Sequence, residues 1–238
     1  MNKKLLITGA DRGLGLALVQ SFLQAGDTVF AGQYMPEWPE LGEMQKEYPD
    51  RLFPVPLDVS DSASVAKAYE SICTRTEYLD FLINNAGISG GAGDIYELKN
   101  PEKGTALYST NALGPLRIAS CFLPLLEAPQ SEKRLCFVSS EAGSISVCHR
   151  ADGFLYPMSK AALNMAVKML FQQLQPKGYS FRLFHPGWVK SYMSGRKSTV
   201  GKFEPEESAR AGFLLFTEPQ PHEDVLRLID NEGRTWPF

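Results

Sequence analysis

The sequence predicts a doubly wound α/β domain, one parallel sheet with helices on both faces, and three observations predict it. Short apolar runs rich in branched residues alternate with longer segments of helical period. The runs read apolar on both faces, as strands buried between two helical layers do. A glycine-rich turn stands directly between the first run and the first helical segment. The 238 residues, 44% of them hydrophobic, are sufficient for a core of independent stability.

The first strand, Lys4–Thr8, is the run Leu5-Leu6-Ile7 closed by Thr8-Gly9. The same reading places strands at Thr28–Gly32, Leu52–Leu57, Phe81–Asn84, Arg134–Ser139 and Phe181–His185. Helical period fills the gaps at Gly13–Ala25, Ser62–Arg75, Thr105–Leu126 and Pro157–Leu174, with a shorter helix at Glu206–Leu215. No linker, charge run, low-complexity stretch or internal repeat divides the chain, so residues 1–238 read as a single domain. Two stretches break the rhythm: glycine-rich residues 86–104, and residues 190–205 with their lysines, serines and two glycines. Loops of that length in a compact domain usually bind or cover something.

Composition excludes several classes. A net charge of −3 lacks the basic stripe of a nucleic-acid binder. No apolar run reaches the ~20 residues of a membrane span, and the N-terminal run is too short for a signal-peptide core. Cys73, Cys121, Cys136 and Cys148 form no CxxC pair and sit in or beside apolar sequence, which reads as reduced structural cysteines of a cytoplasmic protein. His149, His185 and His222 share no helix-face spacing with one another or with carboxylates, so no metal site is expected.

The turn after the first strand is Thr8-Gly9-Ala10-Asp11-Arg12-Gly13-Leu14-Gly15. Glycine suits each of its three positions: Gly9 for a tight turn, Gly13 for close approach of a pyrophosphate, Gly15 for close helix–strand packing. The helix that follows offers free N–H groups and partial positive charge to an anion. Farther along, Tyr156 and Lys160 stand at i and i+4 at the start of a helix, on one face. An ammonium beside a phenol favours the phenolate, so the pair predicts a tyrosine drawn towards neutrality and fit for general acid–base work.

The GxxxGxG spacing and the motifs downstream carry a family resemblance over nearly the whole chain. After the glycine turn come Leu57-Asp58-Val59-Ser60, Asn84-Asn85-Ala86-Gly87, Asn111, Ser139-Ser140, Tyr156-x-x-x-Lys160 and Pro186-Gly187, in that order. The chain resembles the single-domain short-chain dehydrogenase/reductases. That resemblance implies a Rossmann fold and hydride transfer between a nicotinamide cofactor and a carbonyl–alcohol pair. It implies a catalytic set of Asn111, Ser140, Tyr156 and Lys160. Ser140 is expected to donate a hydrogen bond to the substrate oxygen, Lys160 to hold the nicotinamide ribose as well, and Asn111 to hold a water in a proton relay. Cofactor contacts are expected from Gly9, Asp11, Arg12, Gly13, Leu14, Gly15, Gln33, Tyr34, Asp58, Val59, Asn85, Ala86, Gly87, Tyr156, Lys160, Pro186, Gly187, Val189 and Ser191. A substrate loop is expected at about 188–205.

Ser140 lies sixteen residues before Tyr156, where many relatives have about thirteen. The longer loop through Gly143-Ser144-Ile145-Ser146 and Phe154, and the ending Asp230-Asn231-Glu232-Gly233-x-x-Trp236-Pro237, resemble the sniffer and C-factor-like carbonyl reductases. A carboxylate at the end of the second strand would select NAD(H) by clasping the adenosine ribose. Here that position is the neutral Gln33, followed by Tyr34, and Arg12 matches a position whose basic residue binds a 2′-phosphate in relatives. NADP(H) is therefore favoured, with NAD(H) the alternative.

Two rival readings share the fold: a regulatory or signalling protein that keeps the cofactor without turnover, and a sugar epimerase or dehydratase. The complete catalytic set weighs against the first, and the short stretch after Pro186 against the second. Finally, two helical segments carry apolar residues on more than one face: Leu113, Leu116, Ile118, Phe122 and Leu123 in one, Leu163, Met165, Val167, Met169, Leu170 and Phe171 in the other. One apolar stripe suffices to cover a sheet, so the surplus predicts a homodimer or homotetramer.

Overall fold

The structure is a computed structural model and describes residues 2–90, 93–98, 100–193, 198–220 and 223–238. Parts of the two expected loops, residues 91–92, 99 and 194–197, and His222 lie outside the described residues. The strands are β1 (Lys4–Ile7), β2 (Thr28–Gln33), β3 (Leu52–Pro56), β4 (Phe81–Asn84), β5 (Arg134–Val138), β6 (Ser180–His185), β7 (Leu228–Asp230) and β8 (Thr235–Trp236). They form one sheet in the order β3-β2-β1-β4-β5-β6-β7-β8. All neighbours pair in parallel except β7 and β8, which close the edge as a hairpin.

Alternation along β1 sets the two layers. Leu5 and Ile7 face a cluster with Leu18, Val19, Phe22 and Phe216, supplied by helices α1 (Gly13–Gln24) and α7 (Pro205–Thr217). Leu6 faces the other side, among Val65, Ile118, Phe122 and Val167 of α3 (Ser62–Cys73), α5 (Gly114–Leu126) and α6 (Leu155–Leu174). Phe22, Phe30, Phe122 and Phe137 are fully buried, each such side chain contributing about 1.5–3 kcal/mol. Asp61 starts α3 by accepting the N–H of Ala63 at 2.9 Å, an N-cap worth about 1 kcal/mol.

The structure differs from the sequence reading in three places. Helix α2 (Glu40–Glu47) was not expected; it buries only Leu41, so it has almost no apolar stripe. Strands β7 and β8, three and two residues long, are too short to show a period. The expected helix Thr105–Leu126 is α4 (Gly104–Tyr108), a π-helical turn over Ser109–Leu113, and then α5. Strand order reverses between β2 and β4 around β1. In such sheets the crevice for a ligand opens at the carboxyl ends of the strands on either side of that point.

Candidate active site

The glycine turn follows β1 at that crevice. Gly9 has φ +63°, and a Cβ there would come within 2.8 Å of Ala86 Cα; one on Gly15 would fall 2.0 Å from the Gly9 carbonyl oxygen. The turn is braced from β4. Asn85 Nδ2 donates to the carbonyls of Thr8 and Gly9, both at 2.9 Å, and Thr8 Oγ1 accepts the N–H groups of Asn85 and Ala86, both at 3.0 Å. Arg12, with extended backbone, precedes α1 without capping it by its side chain, so the first N–H groups of α1 are available to an anion. A pyrophosphate fits this cradle.

The other expected cofactor residues divide between holding the loops and facing the crevice. Asp11 accepts the N–H groups of Tyr34 and Met35, each at 3.1 Å, and so anchors the segment after β2. Asp58 folds back on Ser60 N and Oγ, at 2.8 and 2.7 Å, and Val59 is buried against Gly114. Leu14 packs into the α1 side of the core. Gln33 Nε2 donates to the Met35 carbonyl at 3.4 Å, while Tyr34 is largely exposed. Arg12 has no carboxylate partner among the described residues. Its guanidinium lies 4.7 Å from the ring centre of Trp38 and 5.7 Å from that of Tyr192, and it donates to the Tyr192 carbonyl at 3.5 Å. Beyond β6, the Pro186 carbonyl accepts from Ser208 Oγ at 2.8 Å, Gly187 takes φ +76°, Val189 bridges to Phe203, and the Ser191 carbonyl accepts from Ser198 N at 2.9 Å.

The four expected catalytic residues come together at the same end of the sheet. Ser140 follows β5, Tyr156 and Lys160 open α6, and Asn111 sits in the π-helical turn. Lys160 is buried, donates to the Val138 carbonyl at 3.0 Å, and lies 3.7 Å from where a Gly87 Cβ would be. Asn111 is fully buried, yet its amide is satisfied: Nδ2 donates to the Ile88 carbonyl and Ser159 Oγ, and Oδ1 accepts Ile88 N, all at 2.9 Å. Both amide donors are thereby used, so this side chain can offer a water only an acceptor. Widened π-helical turns of this kind often mark functional sites.

Two expectations need correction. The phenol of Tyr156 is not drawn towards neutrality. Burial pushes it up to about 12; the hydrogen bond with Ser140 and the charge of Arg150 oppose this, and the charge of Glu141 adds to it. Lys160 is 5.9 Å from the ring centre, and burial pushes it down to about 8, so removal from water dominates the titration of both groups. The Ser140 hydroxyl does not point free towards a substrate either. It donates to Glu141 Oε2 at 2.6 Å and accepts the N–H of Ala142 at 3.1 Å.

Sequence reasoning missed Glu141, whose one signal was an acid directly after Ser139-Ser140. Its carboxylate also pairs with Arg150 and lies 3.4 Å from His185 Nε2. Burial works to push it up, but Ser140, His185 and Arg150 hold it below the usual carboxylate range. The Ser139–Asn164 contact at 2.6 Å and the Asn164–Gly143 bond at 3.1 Å, also unforeseen, dock the segment after Ser140 on α6. A groove of about 550 Å³ under Arg134 and Tyr179 lies at the opposite end of the sheet, away from these groups. Among the described residues no three His, Cys, Asp or Glu side chains cluster as a metal site.

The short chain dehydrogenase family matches residues 3–200 of this chain. The chain belongs to that family. An uncharacterized oxidoreductase of Schizosaccharomyces pombe is 35% identical over 97% of this chain and 91% of its own length. The C-signal protein of Myxococcus xanthus is 35% identical over 71% of this chain and 96% of its own length, in keeping with the C-factor-like features of the sequence. Among solved structures, the NADPH-bound carbonyl reductase from chicken fatty liver superposes with a TM-score of 0.88 at 30% identity, over 100% of this chain and 99% of that one. The family's doubly wound sheet is thus the fold observed here.

Proposed function

We propose that this oxidoreductase interconverts a carbonyl compound and a secondary alcohol with NADP(H), Tyr156 acting as general acid or base. One observation carries the reading: Ser140, Tyr156, Lys160 and Asn111, from three separate segments, converge beside a glycine turn and an uncapped helix start. The nicotinamide supplies or takes the hydride when bound. Tyr156, protonated at neutral pH by virtue of its burial, gives its proton to a carbonyl oxygen or, once deprotonated, takes one from an alcohol. Ser140 hydrogen-bonds that oxygen after turning from Glu141, and Lys160 holds the ribose beside Gly87. Arg12, without a carboxylate partner among the described residues, and the neutral Gln33 favour a 2′-phosphate, and the NADPH in the chicken carbonyl reductase supports that choice; NAD(H) is the alternative. The described residues 188–193 and 198–205 border the substrate side in this reading.

The test is NADPH consumption with a panel of aldehydes, ketones and diketones. The parent protein is expected to turn over at least one. Tyr156→Phe is expected to bind NADPH normally and lose turnover by about 10²–10⁴-fold; retention of more than about a tenth refutes the assignment. The likeness to C-signal favours a second reading, a signalling protein that keeps the cofactor without turnover, and failure of the whole panel would support it.

We further infer a cytoplasmic homodimer or dimer of dimers. All four cysteines are free, and no described helix is long and apolar enough to cross a membrane. Most of the surplus apolar residues turn inward: Ile118, Phe122, Leu163, Val167 and Phe171 are core, with Leu123 and Leu170 packed against it. Met165 and Met169 stay exposed and, with Met158, line one face of α6, each 63% exposed; in this reading these form the contact.

A further inference from the structure

We propose that Trp38 sets cofactor choice: its indole ring holds Arg12 in place for the 2′-phosphate of NADP(H), and its N–H is a second donor to that phosphate. The proposal rests on the NADP(H) reading above and names the residue that makes Arg12 effective.

The chain builds the contact from one anchor. Asp11 accepts the N–H groups of Tyr34 and Met35, each at 3.1 Å, and so fixes the segment after β2 to the residue just before Arg12. Trp38 N then donates to the Met35 carbonyl at 3.1 Å, a turn that brings the indole back to the glycine turn. The Arg12 guanidinium lies 4.7 Å from the Trp38 ring centre, well inside cation–π range. Neighbouring residues 11 and 12 thus grip the two ends of the stretch 34–38.

A phosphate is best met by an arginine that is both ordered and uncommitted. A carboxylate partner would order Arg12 but cancel its charge and occupy its fork of donors. An indole orders it and takes neither, since the ring accepts the cation without using its N–H groups. Among the described residues those groups make only a long 3.5 Å bond to the Tyr192 carbonyl. Holding a long side chain in advance removes an ordering cost that binding would otherwise carry.

A second observation points to the same ligand. Trp38 Nε1 is buried and has no hydrogen-bond partner among the described residues. An indole nitrogen only donates, and a buried donor left unmade is costly, so this atom calls for an acceptor oxygen. The cation beside the ring makes an anionic oxygen the fitting one. Gln33, at the end of β2, sets no negative charge against it; its amide donates to the Met35 carbonyl at 3.4 Å.

The experiment is calorimetric titration of NADPH and of NADH into the parent, Trp38→Leu, Trp38→Phe, Arg12→Ala and the Arg12→Ala, Trp38→Leu double substitution. NADH lacks the 2′-phosphate and so reports whether the rest of the site is intact. Trp38→Leu is expected to lower NADPH affinity by at least about tenfold, with NADH within about twofold of the parent. Trp38→Phe keeps a ring for Arg12 but lacks the N–H, and is expected to fall between, at about threefold. With Arg12 already alanine the ring has no cation to hold, so Trp38→Leu is expected to cost NADPH no more than Trp38→Phe does in the parent. A Trp38→Leu protein that keeps the parent's NADPH-to-NADH ratio overturns the proposal. So does a loss shared equally by both coenzymes, which is what general loosening would give. Should Trp38→Leu not fold, the ratio in Trp38→Phe decides in the same way. Equal affinities in the parent defeat the NADP(H) reading and this proposal with it; a preference that depends on Arg12 but not on Trp38 defeats this proposal alone.

Discussion

Gly15→Ala puts a steric demand on the glycine turn that the structure allows to be quantified. The added methyl would lie 2.0 Å from the Gly9 carbonyl oxygen and 2.6 Å from Asn85 Nδ2. Carbon–oxygen contacts settle at about 3.3 Å or more, so the carbonyl must retreat by about 1.3 Å. The retreat breaks the 2.9 Å bond from Asn85 to Gly9, a net loss of about 1 kcal/mol. Overpacking of a tight site adds about 1–3 kcal/mol. For a chain of this size the sum of about 2–4 kcal/mol lowers the melting temperature by about 5–15 °C. If the glycine turn holds the pyrophosphate as proposed, displacing the Gly9 carbonyl is expected to lower NADPH affinity by at least about tenfold, or 1.4 kcal/mol. Gly42→Ala serves as the control: Gly42 lies in α2, and nothing is within 4 Å of its added methyl. There the better helix propensity of alanine should stabilise by up to about 1 kcal/mol. Thermal unfolding by circular dichroism and NADPH titration by fluorescence read both effects. A Gly15→Ala protein that melts within about 1 °C of the parent and binds NADPH equally well refutes the close-approach argument.

NADPH is expected to bind more tightly than NADH, and Arg12→Ala to cost NADPH at least about tenfold, the worth of one charge-assisted hydrogen bond, while leaving NADH unchanged. Equal affinities in the parent refute the 2′-phosphate assignment. Burial works to push Asp230 up, but hydrogen bonds from Trp236, Arg234 and Glu232 hold it below its ordinary 3.8. Its contribution to stability is therefore complete above 3.8 and lost as pH falls through the lowered folded value. Asp230→Asn should lower the melting temperature at neutral pH and flatten its fall at acid pH; parallel melting curves down to acid would show that the carboxylate adds nothing. Sedimentation of the parent is expected to give a dimer or larger, and the double substitution Met165→Glu, Met169→Glu a monomer; a parent that stays monomeric on tenfold concentration contradicts the assembly.

Strands β1 to β6 were legible to within one residue at each end because β1, β2, β4, β5 and β6 are buried on both faces, and continuous apolar runs record that directly. The same signal is absent from α2, where one buried leucine among acids and a glycine leaves no stripe to read. The π-helical turn was hidden because Thr105–Leu126 keeps a helical apolar rhythm across it, and nothing in that rhythm reports a carbonyl shifted by one residue. Motif order brought Ser140, Tyr156 and Lys160 to one place, since each stands at a fixed offset from a strand end or helix start. The titration of Tyr156 was misread for a different reason. Spacing shows that a lysine is near but not how thoroughly both side chains are removed from water, nor that Glu141 already holds the serine's proton.

Arg12 lies against both Trp38 and Tyr192, whose rings meet edge-on at 5.3 Å, and the three tie distant stretches of chain into one contact. Tyr192 belongs to the segment after β6, Trp38 to the segment after β2, and Arg12 to the turn after β1. A swing of the Tyr192 segment away from the glycine turn strips the indole of one aromatic neighbour and changes the cation it shares. Trp38 emission is thus an intrinsic gauge of loop position, readable without a dye or label. With Trp188 and Trp236 replaced by phenylalanine, stopped-flow fluorescence at that single indole would time any change in this contact against nucleotide arrival and departure.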